Sequence, residues 1–89
     1  MNYSEISFIL KGKRRKSILF SLEKGVKTSS NLSKELKLNL ANVSNTLKEL
    51  EKNEFIECKN PEDYHLKFYE LTEKGKQVLD EIKKLEQDN

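Results

Sequence analysis

Two amphipathic segments held apart by only a few residues constrain this chain most. In TSSNLSKELK, Leu32 and Leu36 stand four apart behind the hydroxyls of Thr28, Ser29 and Ser30, which are good caps, so a two-turn helix is expected over residues 29–37. Lys37, Leu38 and Asn39 then lead into LANVSNTLKELEK. Asn39 is again a preferred cap, and Val43, Leu47 and Leu50 fall on one narrow face with Leu40 leading in, which predicts a helix over residues 39–53. A short helix, a turn of three or four residues and a longer helix make the helix-turn-helix arrangement.

The flanking segments supply the surfaces on which that pair can rest. Upstream, SEISFIL places Ile6, Ile9 and Leu10 at helical spacing and Gly12 interrupts the pattern; Ile18, Leu19 and Leu22 resume it over residues 13–24, where Gly25 gives the stop. Downstream the period changes. FIECK, the turn residues NPED and the aromatic run HLKFYELT read as a two-stranded hairpin with its tip near residues 60–65. Tyr69 and Leu71 are expected to face the core and Phe68 to face away, because side chains alternate along a strand. Thr72 caps a last helix striped by Val78, Leu79, Ile82 and Leu85. The expected class is mainly α with a small β-hairpin, an α+β domain spanning residues 1–89.

Composition mainly excludes. One cysteine, Cys58, and one histidine, His65, cannot make an intrachain disulfide or a usual zinc site, and Cys58 is expected to be a small buried hydrophobe. No apolar run approaches the ~20 residues that span a bilayer, so a cytoplasmic protein without membrane contact is expected. With no activated nucleophile, Gly-rich phosphate loop or carboxylate cluster there is no basis for an enzyme, a cofactor or a metal. The net charge of +2 is too small to announce a polyanion partner, so the distribution of charge has to carry that argument.

Two places draw attention. Opposite Val43, Leu47 and Leu50, the 39–53 helix presents Ala41, Asn45, Lys48 and Lys52, flanked by Asn42 and Ser44. Asn can bond adenine, Ala can meet a thymine methyl, and Lys can reach guanine or phosphate; the same side chains are also ordinary on any exposed helix. The run KGKRRK, residues 11–16, puts cations at the start of a helix, where the macrodipole disfavours them, so acidic neighbours or phosphates must compensate.

Three pieces of the chain carry a family resemblance. Arg15-x-x-Ile18-Leu19-x-x-Leu22, Val43-Ser44-x-x-Leu47-x-x-Leu50-Glu51 and Tyr69-x-Leu71-Thr72-x-x-Gly75 occur in an order that resembles the winged helix-turn-helix regulators grouped with ArsR and MarR, closest to small archaeal members. The resemblance covers roughly residues 8–80. It implies a sequence-selective binder of double-stranded DNA, with the helix-turn-helix at about 28–53, residues 39–53 as recognition helix, a wing at about 55–72 and a dimerisation helix at about 73–87. Its implied DNA contacts are Thr28, Ser29, Ser30, Ala41, Asn42, Ser44, Asn45, Lys48 and Lys52, with Lys59, His65 and Lys67 on the wing. In such regulators the first and last helices pair across a two-fold axis, which implies a homodimer through Ile6, Ile9, Leu10, Leu79, Ile82 and Leu85 and action as a repressor.

This sequence departs from the pattern at the wing tip, where Glu62 and Asp63 would repel a backbone, and at Glu54, where relatives often carry Gly. Asn53 is expected to take the left-handed conformation instead. Arg15 is expected to be tied to nearby acidic or carbonyl groups, leaving Lys11, Lys13, Arg14 and Lys16 for phosphates or for the acidic last helix of a second copy. Metal sensing of the ArsR kind lacks its ligands, and no effector site is expected. A winged-helix protein-interaction module and a non-specific DNA-compacting protein remain the alternative functions.

Overall fold

A computed structural model describes residues 2–87. The elements run α1 (Tyr3–Leu10), α2 (Lys13–Glu23), β1 (Lys27–Thr28), α3 (Ser29–Leu36), α4 (Leu40–Lys52), β2 (Ile56–Cys58), β3 (Phe68–Leu71) and α5 (Glu73–Gln87). Each expected helix is present, with bounds within a residue or two of those read from periodicity and caps.

The sheet is larger than the expected hairpin. Its order is β1-β3-β2, all antiparallel, with Lys27 opposite Tyr69 and Thr28 opposite Phe68. A two-residue strand leaves no alternation to read, and Thr28 has a second role as the cap of α3. β3 also begins at Phe68, where the expected strand began at His65. Side chains intercept the backbone before it can pair: the Asp63 carboxylate accepts from the N–H groups of His65 (2.8 Å) and Leu66 (3.1 Å). Asn60 donates to the Leu66 carbonyl (2.6 Å) and accepts from the Phe68 N–H (2.8 Å). Cys58, expected to be buried, is half-buried at the end of the edge strand β2, opposite Tyr69.

Helices α2, α3 and α4 surround Ile18, Leu19, Leu32, Val43, Leu47 and Leu50, all buried, and the sheet adds Ile56 and Leu71. Leu71 is buried, Tyr69 packs partly against the core and Phe68 is exposed, as the alternation required. Helices α1 and α5 close the remaining side. This corrects the reading of the apolar residues assigned to a dimer surface: Ile6, Ile9, Leu79 and Ile82 are buried in this chain's own core. They are covered because α5 lies along α1 and α2 and is fastened by the Lys83–Glu23 and Lys16–Glu86 ion pairs. Leu10 and Leu85 keep exposed area, at 42% and 43%.

The end of α4 sets where the sheet begins. The Phe55 N–H donates to the Leu50 carbonyl (3.0 Å) and the Glu54 N–H to the Glu51 carbonyl (3.0 Å), the doubled closure that needs a left-handed residue between them. That residue is Glu54 itself (φ 66°), while the expected one, Asn53, stays at φ −91°. The Phe55 carbonyl then meets the start of α5, accepting from the Thr72 N–H (3.1 Å). A Cβ on Gly75 would stand 2.2 Å from that carbonyl oxygen, so only glycine allows the approach. Gly75→Ala should therefore lower stability by about 1–3 kcal/mol in denaturant unfolding, and an unchanged midpoint would show that α5 can shift to make room.

Candidate nucleic-acid interface

The helix-turn-helix is positioned by local bonds. Thr28 and Asn31 cap α3 reciprocally: the Asn31 N–H donates to Thr28 Oγ1 (3.1 Å), and the Thr28 N–H donates to Asn31 Oδ1 (3.0 Å). Ser29 and Ser30, read alongside Thr28 as caps, instead form the first turn of α3, and Ser30 is exposed. Lys37 ends α3 in the left-handed region (φ 56°), and Ser33 holds the turn by donating its hydroxyl to the Leu38 carbonyl (2.7 Å). Asn39 Oδ1 then accepts from the N–H groups of Ala41 (2.8 Å) and Asn42 (3.3 Å) to start α4.

A polar lock joins α3 to its neighbours. The Ser21 hydroxyl of α2 donates to Glu35 Oε2 (2.6 Å), and Lys27 of β1 donates to Ser21 Oγ (2.7 Å) and pairs with Glu35. Lys27 and then Ser21 hold the Glu35 carboxyl below its ordinary value of 4.5.

On α4 the structure brings the expected residues together. Ala41, Asn42, Asn45, Lys48 and Lys52 are exposed, Ser44 is half-buried, and Val43, Leu47 and Leu50 point inward. Thr46, not singled out in the sequence, is also buried; its hydroxyl donates to the Asn42 carbonyl (2.9 Å), which lets a polar residue sit on the inward side. Arg15 is tied as expected to a carbonyl and a carboxylate. It donates to the Phe8 carbonyl (2.8 Å) and to Glu49 of α4 (3.0 Å), with its guanidinium 4.0 Å from the Phe8 ring centroid. Arg15 is also one border of a recess of about 290 Å³ formed with Lys11, Gly12, Lys13, Arg14, Thr46 and Glu49.

The wing residues differ in their surroundings. Lys59 is paired with Glu70 (3.7 Å), while His65 and Lys67 are exposed on the loop. The Asp63 carboxyl, turned toward the His65 and Leu66 amides, is held below its usual range by them, and Tyr64 beside it is almost fully exposed.

Charge is sorted across the molecule. Every lysine of α5 is ion-paired: Lys74 with Glu5, Lys76 with Glu73, Lys83 with Glu23 and Lys84 with Glu81. Among the described residues, no ion pair forms at Lys34, Lys37, Lys48 or Lys52 of the helix-turn-helix, nor at Lys11, Lys13 or Arg14. Lys34 and Lys37 were not among the expected contacts. Their signal was weak, since a cation near a helix end also follows from the macrodipole.

An exposed polar helix joined to a second helix by a short turn and followed by a small antiparallel sheet is the winged helix-turn-helix arrangement. The chain belongs to the winged helix-turn-helix family, whose model matches residues 15–89. None of the curated proteins compared with it matches. Among solved structures it is similar to the adhesin competence repressor AdcR of Streptococcus pyogenes, at 26% identity and a TM-score of 0.73 over 86% of this chain. The chain spans 58% of that protein's length. It is similar to the reduced form of the transcriptional regulator YodB of B. subtilis, at 26% identity and a TM-score of 0.79 over 97% of this chain and 88% of that one. A homodimeric winged helix-turn-helix DNA-binding domain, Mb0332 of Mycobacterium bovis, shares the fold at 21% identity and a TM-score of 0.72, over 96% of this chain and 77% of that one. No helix among the described residues is long and apolar enough to cross a membrane.

Because its folded-state value is depressed, Glu35 contributes stability that is present above its ordinary 4.5 and lost as pH falls through the lower folded value. The stability difference between wild type and Glu35→Gln should shrink as pH is lowered from about 6 to about 3 in thermal melts. A difference that stays constant would mean that the ionised carboxylate is not what holds α3.

Proposed function

We propose that the chain is a homodimeric transcription repressor that reads double-stranded DNA by laying α4 in the major groove. The observation that carries this is the pairing of charge. The lysines of α5 are neutralised within the chain, whereas Lys34 of α3 and Lys48 and Lys52 of α4 form no ion pair with any described residue and stand on the same two helices as the exposed Asn42 and Asn45. Phosphate contacts supply affinity and position, and short amides on the same face can supply base selection. The exposed Ser30 and the N-terminal turn of α3, with Thr28 and Ser29 behind it, suit a backbone phosphate. On the wing, His65 and Lys67 suit a secondary contact, and Lys59 joins them only by releasing Glu70.

Self-association rests on less surface than the sequence suggested. The exposed areas of Leu10 on α1 and Leu85 on α5 are what remains of the apolar set, and a pairing of these helices would be modest in area. Two α4 helices in such a dimer would address half-sites about 34 Å apart, which suits a palindromic operator.

Titration onto genomic fragments at several salt concentrations tests the reading. A regulator selects particular fragments and weakens steeply as salt rises, a compacting protein binds all fragments alike, and an interaction module binds none. Asn45→Ala should cost about 1–3 kcal/mol on the selected site and much less on random DNA. Equal losses on both would remove Asn45 from base reading. Sedimentation as a monomer at micromolar concentration together with tight site binding would sink the dimer.

A further inference from the structure

The geometry points to the corner between α1 and α2, through Lys11, Lys13 and Arg14, as the main grip on the DNA backbone, in place of the wing. This rests on the DNA-binding reading above and concerns where the phosphates are held.

The three side chains are exposed and form no ion pair with any described residue. They are not remote from the proposed reading helix, since the recess they line is closed by Thr46 and Glu49 of α4. Glu49 follows Asn45 by one helical turn, so the corner borders the face that presents Asn42 and Asn45. The one carboxylate in the recess is neutralised by Arg15 at 3.0 Å, which leaves the corner cationic.

A second copy's acidic last helix fits this corner poorly. Within the chain Glu73 is paired with Lys76, Glu81 with Lys84 and Glu86 with Lys16. Of the described carboxylates on α5 that leaves Asp80, which lines a different recess with Leu22, Gly25 and Val26 at the far end of α2. The other flank of α4 carries the opposite charge. Glu51, Glu54, Glu57 and Glu73 border one recess there with a single cation, Lys74, which is paired with Glu5, and on the wing Glu62 and Asp63 outnumber Lys67, since Lys59 is paired with Glu70. A phosphate strand therefore meets cations on the side of Thr46 and Glu49 and carboxylates on the side of the wing.

The test measures affinity for a random-sequence duplex of about 30 base pairs against salt, because phosphate contacts are sequence-independent. Lys13→Ala/Arg14→Ala is compared with the wing pair Lys59→Ala/Lys67→Ala and with Lys76→Ala/Lys84→Ala of α5, each of which removes the same formal charge as the corner pair. Unfolding midpoints confirm that all are folded. The corner pair should bind more weakly and reduce the slope of log affinity against log salt by about 2, so that a fourfold rise in salt costs it about tenfold less affinity than wild type. The wing pair and the α5 pair should each change the slope by less than half as much. A corner pair indistinguishable from the α5 pair, or a wing pair with the larger loss, would overturn the assignment while leaving DNA binding intact. A wild-type protein that binds no duplex at all would overturn the DNA reading and this inference together.

Discussion

Arg15 is the residue through which the two halves of the molecule are held in one orientation. Its guanidinium lies over Phe8, bonds the Phe8 carbonyl in the last turn of α1 and pairs with Glu49 on α4. Phe8 in turn stacks on Phe55 with centroids 6.0 Å apart, and Lys74 of α5 lies over Phe55 while pairing with Glu5 and donating to the Asn53 carbonyl. One connected set of cation–ring, ring–ring and hydrogen-bond contacts thus joins α1, α2, α4 and α5. Such contacts are individually small, but geometrically specific, and they fix the angle at which α4 leaves the core.

The same residue shapes the electrostatics. A carboxylate one turn beyond Asn45 would repel a phosphate backbone, and Arg15 cancels it. The rest of the charge follows the same division. Pairs fill α5, and among the described residues the cations in no ion pair are Lys11, Lys13 and Arg14 at the α1–α2 corner, Lys34, Lys37, Lys48 and Lys52 on the helix-turn-helix, Lys24 at the end of α2 and Lys67 on the wing. A chain with a net charge of only +2 can therefore present a cationic face, since pairing removes charge where it is not needed.

Several features were legible because they are local. Asn39 as a cap, the inward set Val43, Leu47 and Leu50, the exposed set Ala41, Asn45, Lys48 and Lys52, and the tied Arg15 all follow from spacing, capping chemistry or the family motif. Others were hidden for definite reasons. β1 is too short to show a period, and the loop before β3 is shaped by Asn60 and Asp63 bonding backbone that the aromatic run had marked as strand. The left-handed turn fell on Glu54 because the doubled closure of α4 sets the position, and it overrides the preference of Asn53 for that conformation.

By itself the sequence determined the helices, their order and the polar face of α4, since these depend on periods of a few residues. Only the tertiary structure decided which apolar residues were spare and which charges were free. Ile6, Ile9, Leu79 and Ile82 looked available until α5 was seen to lie against α1 and α2. Within KGKRRK the family motif marked Arg15 as tied but not its partner, and Lys16 stood with the spare cations; the structure pairs Lys16 with Glu86 and leaves Lys11, Lys13 and Arg14 facing outward beside α4. Burial and ion pairing are properties of residues far apart in the chain, such as Arg15 with Glu49 and Lys16 with Glu86, and no local pattern encodes them.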